Sequence, residues 1–239
     1  MYIRPYIILN GVSSLNLTGL LITELPPITK PLKRTKVDVI DGRDGDIVTE
    51  LGYSAYDKVV KIGLTANYDI DAIIKYFNSE GVVIFSNEPD KYYRYAIYEQ
   101  IDFERLLRFK TAEVTLHVQP FKYSTSELEQ EFTLSSSPNT VKIFNAGNIY
   151  SRPIIKVTGT GSITLALNGA DILVMDLGDT SQTITIDAEA MNAYYSDDTL
   201  ANRIVTGNYD NIRLKIGSNT FTLTGNATGF KINNYSRWI

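Results

Sequence analysis

The chain of 239 residues has no cysteine, a single histidine and a single tryptophan. Without cysteine it has no disulfide, no thiolate nucleophile and no Cys-ligated zinc site. With one imidazole, a Ser-His-Asp site has only His117 to use. That residue falls in an alternating run in which Thr115, His117 and Gln119 oppose Val114, Leu116 and Val118, so it reads as a half-exposed strand histidine. Long apolar runs are also lacking. Nothing approaches the roughly 18 residues of a membrane-spanning helix, and Tyr6-Ile7-Ile8-Leu9 is too short for a secretory core and ends at Asn10-Gly11. No membrane insertion is expected. Charge of one sign is scarce: Lys and Arg against Asp and Glu number 15 and 16 through residue 125, and 8 and 11 after it. Neither half is basic enough to make nucleic acid a main partner.

What is present is a globular composition, 44% hydrophobic and 21% charged, patterned for strands. Val60, Ile62 and Leu64 alternate with polar neighbours, as do Val114, Leu116 and Val118. Farther on, Ile163-Leu165-Leu167, Ile184-Ile186, Ile212-Leu214-Ile216 and Phe221-Leu223 do the same. Asn168-Gly169 between two such runs predicts a hairpin over 162–177, because both central residues of a type I′ turn need positive φ. One helix is predicted. Asp69 caps it, Ile70, Ile73, Ile74 and Phe77 form its apolar stripe, and Gly81 supplies the left-handed residue that ends it. Residues 189–202 read as a weaker helical or loop excursion. The polar, Ser-rich stretch 124–140 predicts a linker with a boundary near 130. The expectation is therefore two mainly β domains, 1–130 with one α-helix and 131–239.

The polar clusters carry little chemistry. Asp38, Asp41, Asp44 and Asp46 suggest calcium, but an EF-hand counted from Asp41 puts Arg43 and Gly45 at the third and fifth positions, and counted from Asp44 it puts Val48 at the fifth. The plainer reading is a pair of turns, Asp41-Gly42 and Asp44-Gly45. Nothing singles out Glu99, Asp102 and Glu104 as a glycosidase pair. Lys30, Lys33, Arg34 and Lys36 form a basic cluster of the kind that guards a strand edge. The 16 tyrosines suit core, protein interface or sugar stacking, with Tyr194-Tyr195 as candidate partner or glycan contacts. No enzyme activity, catalytic residue, metal or cofactor is expected.

Several segments, in their order, carry a family resemblance. They are Asn10-Gly11, Gly42-Arg43-Asp44-Gly45, the capped helix, Ile84-Phe85-Ser86-Asn87-Glu88-Pro89 with Tyr93, and Thr115 to Tyr123. Together they resemble the N-terminal domain of the distal tail proteins of long, flexible-tailed bacteriophages. Asn87 replaces the Asp common there, and Arg108-Phe109-Lys110-Thr111 lacks a Gly expected before the last strand. Asn145-Ala146-Gly147, Arg152-Pro153, Leu167-Asn168-Gly169, Ile184 to Asp187 and Ser236-Arg237-Trp238 resemble that family's second domain, a galectin-like or carbohydrate-binding-module-like β-sandwich. The resemblance implies a virion protein at the tail tip, assembled in the host cytoplasm. It implies a ring, six copies, closed by the N-terminal domains. Its partners are the tail-tube protein, a tape-measure or tail-tip hub protein and receptor-binding or baseplate proteins, with DNA only in transit. Gly42, Arg43, Asp44 and Gly45 become candidate ring contacts. The alternative is a module that attaches to host glycans.

Overall fold

A computed structural model describes residues 4–135 and 137–239. By its internal contacts the chain divides into Met1–Thr125 with Ile239, and Ser126–Trp238. The chain is mainly β, as the alternating runs predict.

The first unit contains β1 (Ile7–Leu9), β2 (Val12–Ser13), β3 (Leu20–Glu24), β4 (Lys33–Asp38), β5 (Ile47–Tyr53), β6 (Tyr56–Leu64), α1 (Ile70–Phe77), β7 (Glu80–Phe85), β8 (Lys91–Ala96), α2 (Phe103–Phe109) and β9 (Thr111–Ser124). One antiparallel sheet runs β2-β1-β7-β8-β9-β6-β3, while β4 and β5 form a separate two-stranded sheet. The core takes every second residue of the long strands: Val60 and Ile62 of β6, and Ala112, Val114, Leu116 and Val118 of β9. The same phase turns Lys58 inward.

Helix α1 starts as expected, with Asp69 Oδ1 accepting from the Ala72 amide at 3.0 Å. Ile73 and Phe77 are buried with Tyr76. Its end differs. The helix closes at Asn78, whose amide donates to the Ile74 carbonyl, and Gly81 belongs to β7. Gly81 (φ +136°) leaves no room for a side chain, since Asn10 Oδ1 lies 2.2 Å from where its Cβ would stand. The Asn10 amide donates to the Glu80 carbonyl and accepts from the Val82 amide at 2.8 and 2.9 Å, standing in for a strand neighbour. The expectation of one helix is also corrected. Asp102 caps α2 by accepting from the Arg105 amide at 2.8 Å, and Lys110 ends it with φ 58°, taking the left-handed position expected of glycine.

The second unit contains β10 (Gln130–Thr133), β11 (Asn139–Asn145), β12 (Ile154–Leu167), β13 (Ala170–Asp176), β14 (Gln182–Asp187), β15 (Asn192–Tyr194), β16 (Val205–Gly207) and β17 (Gly217–Asn233). β12 and β17 pair along most of their length. The early part of β12 also pairs β14, and its late part pairs β13. The early part of β17 pairs β11 and its late part β10. Phe221 and Phe230 lie on this one strand, and nine extended residues span about 30 Å. Their ring centroids are 5.3 Å apart, so β17 turns back on itself. The bend sits where the β12–β17 register shifts, around Gly159 and Gly225. A Cβ on Gly159 meets the Asn226 carbonyl oxygen at 2.3 Å, and one on Gly225 (φ +110°) meets that of Ser162 at 2.3 Å. Strands bent in this way carry one sheet around a single core.

Asn168 (φ 54°) and Gly169 (φ 88°) join β12 to β13, as the hairpin predicts. Residues 189–202 hold β15 and turns, with no helix among the described residues. Residues 212–216 do not form the predicted strand. Ile212 and Leu214 are buried after a 3-10 turn at Tyr209–Asn211, Leu214 makes one bridge to Ser151, and Ile216 is exposed. Part of the expected linker is strand: β10 and the start of β11 pair with β17. Ser136 lies outside the described residues.

Candidate assembly interface

Between β3 and β6 the chain leaves the core as an arm. From Leu32 to Asp57 no residue is buried. β4 and β5 pair from Lys33↔Tyr53 to Asp38↔Ile47. The Ser54 amide donates to the Leu32 carbonyl at 2.9 Å and closes the base. At the tip, the Arg43 amide donates to the Ile40 carbonyl at 3.2 Å. Gly42 (φ +81°) occupies the position of that turn that requires positive φ. Gly45 (φ +77°) follows, and added Cβ atoms at either glycine meet nothing within 4 Å. The four residues Gly42, Arg43, Asp44 and Gly45 thus form an exposed tip.

Opposed residues of an antiparallel pair share a face. Val37 opposes Val48, and Val39 continues that face toward the tip. All three are exposed, Val39 at 75%, and so are Leu32, Ile40 and Leu51. Ion pairs hold the arm together without covering it: Lys33 with Glu50, and Lys36 with Asp38 at 2.9 Å. Of the basic cluster, Lys33 and Lys36 thus pair with the arm's own acids, while Arg34 Nη2 donates to the Leu51 carbonyl at 3.2 Å. Asp38, Asp41, Asp44 and Asp46 do not gather into a metal-holding group among the described residues. A lone two-stranded ribbon is marginal in water, and an apolar face on it is characteristic of an interface. Sequence reading found the tip and missed this face. The alternation through Val37 and Val39 was visible, but the absence of a core beneath it was not.

The root is built differently. Pro26 and Pro31 are buried. Lys58, 3% exposed, donates to the Pro27 carbonyl at 2.9 Å, and Asn87 Nδ2 donates to the Pro26 carbonyl at 3.1 Å. The Lys58 ammonium lies 5.0 Å from the Tyr93 ring centroid, 5.5 Å from Tyr56 and 5.6 Å from Phe85. Burial lowers its pKa from the ordinary 10.5 to about 8; Glu88 opposes that fall and Lys122 adds to it. Glu88 pairs with Lys122 and accepts from the Tyr93 hydroxyl at 2.7 Å.

The remaining candidates separate. In the second unit, Tyr195 packs against the core and Tyr194 is half-buried, its hydroxyl 3.4 Å from Asn192 Nδ2. They do not form a flat, solvent-facing pair. In the Tyr-rich strand, Tyr93 and Tyr95 are core residues, Tyr92 stacks on Tyr123, and Tyr98 beyond it is exposed beside His117. His117 Nδ1 lies 2.7 Å from Asp57 Oδ1, across the β6–β9 register. No helix among the described residues is long and apolar enough to cross a membrane.

Residues 15–118 match the family model of the phage tail protein RIFT-related domain. The matched stretch lies within the first unit. Among solved structures, the crystal structure of SPP1 Dit (gp 19.1), described as a paradigm of the hub adsorption apparatus in phages infecting Gram-positive hosts, is similar. It has 15% identity and a TM-score of 0.70, over 98% of this chain and 99% of that one. A chain of the phage p2 baseplate, in its activated conformation with Sr, matches at 10% identity and a TM-score of 0.50, over 96% of this chain and 97% of that one. At these identities the matches show a shared fold. No curated protein matches the sequence. The resemblance to distal tail proteins is matched by the family model over much of the first unit and by the fold over nearly the whole chain.

Proposed function

We propose that the chain forms a ring at the tip of a phage tail, six copies by family resemblance, and that the arm of each copy closes the ring on its neighbour. The ring joins the tail-tube protein and a tape-measure or hub protein on one side to the receptor-binding or baseplate apparatus on the other, and DNA passes through its opening. The first unit closes the ring, and the second, read as galectin-like, projects to hold the adsorption apparatus. The observation that carries this reading is the arm's apolar face, with Val37, Val39 and Val48 exposed on a ribbon that has no core of its own. A head-to-tail contact with the right rotation closes on itself, and a stable one buries over about 1,000 Å². The hub description of SPP1 Dit supports the placement. Electron microscopy of the full chain, alone at high concentration and with tail-tube protein, tests it. Sixfold rings are expected; twofold dimers or monomers under both conditions contradict the reading. The glycan-binding alternative has weaker support, since Tyr194 and Tyr195 are both partly buried.

A further inference from the structure

The arm could swing about its root unless something held that root. Three side chains from outside the arm reach the carbonyls of the segment leading into it. Lys58 of β6 binds Pro27, and Asn87 of the β7–β8 turn binds Pro26. The Tyr56 hydroxyl faces the Thr29 carbonyl at 3.5 Å. Proline lacks an amide, so the Pro26-Pro27 segment has few ladder bonds of its own to offer, and side-chain donors must fasten it. The donors are themselves braced. Lys58 is boxed by Tyr56, Phe85 and Tyr93, and Glu88, next to Asn87, is pinned by Lys122 and Tyr93. A buried lysine on a carbonyl is an expensive way to stabilise a core, since an apolar side chain of that size does as well. Its geometry suits direction better than stability.

We propose that Lys58 and Asn87 are positioning residues, which clamp Pro26 and Pro27 and thereby aim the arm at the neighbouring copy. This rests on the arm being the ring contact. The cysteine-free chain allows clean spin labelling. Labels at Arg43→Cys on the tip and Glu113→Cys on β9, in full-length chain diluted into unlabelled chain, give the tip-to-core distance within one copy. A single narrow distribution is expected with the native clamp. In Lys58→Met and in Asn87→Ala the width should grow at least twofold, while the unfolding midpoint of Asn87→Ala stays near that of the parent. Asn87 sits on an exposed turn, so its variant carries the test if Lys58→Met fails to fold. An unchanged width in the folded variants overturns the clamp. The ring reading fails separately, if a charge placed on the arm's apolar face leaves assembly intact.

Discussion

At the scale of single residues, Lys58 decides most. Its ammonium is held near pKa 8 in the folded chain, against 10.5 in an unfolded one. Between those values the unfolded chain binds more protons, so stability rises with pH across the window. The cost of the buried charge is present below pH 8 and is removed as pH climbs toward 10.5. The full shift corresponds to roughly 3 kcal/mol, with a slope of at most about 1.4 kcal/mol per pH unit. The buried tyrosines act oppositely and later. Burial raises Tyr76, Tyr93 and Tyr95 above the usual 10, so their contribution is lost as the unfolded tyrosines ionise beyond that pH. Urea unfolding of the parent should therefore show stability climbing between pH 8 and 9.5, and Lys58→Met should flatten that climb. An equal climb in both proteins assigns it to another group. Lys58 was legible in principle: it keeps the phase of Val60 and Ile62, and a lysine at an inward position signals a buried donor.

At the scale of elements, glycines set the shape of the second unit. β12 and β17 bend only because Gly159 and Gly225 let backbones meet at the corner. Gly225→Ala combines a strained φ with a backbone clash, and should cost at least about 2 kcal/mol. Urea unfolding followed by circular dichroism reads the loss. A midpoint within error of the parent's rules out the corner as described. Elements whose signals are local were legible in the sequence. The Asp69 cap, the Ile73–Phe77 stripe and the Asn168-Gly169 turn each depend on a few neighbouring residues. Helix α2 keeps helical spacing at Phe103, Leu106 and Leu107 behind its Asp102 cap, but it is short, and Lys110 stands where glycine was expected, so its signal is weak in the sequence. The end of α1 was misplaced because Gly81 answers to Asn10, far away in sequence. The strand predicted at 212–216 has the right alternation at Ile212 and Leu214, but both residues are buried beside a 3-10 turn, and alternation cannot tell these cases apart.

At the scale of the whole molecule, the account depends on the arm. Its tip residues were readable as turns, and the family resemblance pointed to them, but the unpartnered face of β4 and β5 is visible only when the core is seen to exclude it. The two units keep separate cores, and the proposed ring contacts belong to the first. The polar stretch after Thr125 reads as a linker from its composition, yet part of it serves as strand β10 and the start of β11 in the second unit. The central claim is that the arm's apolar face closes the ring, and the most direct test is the mass of the assembly by sedimentation equilibrium. The parent should reach a six-copy mass as concentration rises, and a Val37→Asp, Val48→Asp double variant, which leaves both cores untouched, should sediment as a folded monomer over the same range. A ring that persists in the double variant, or a parent that stops at a dimer, contradicts it.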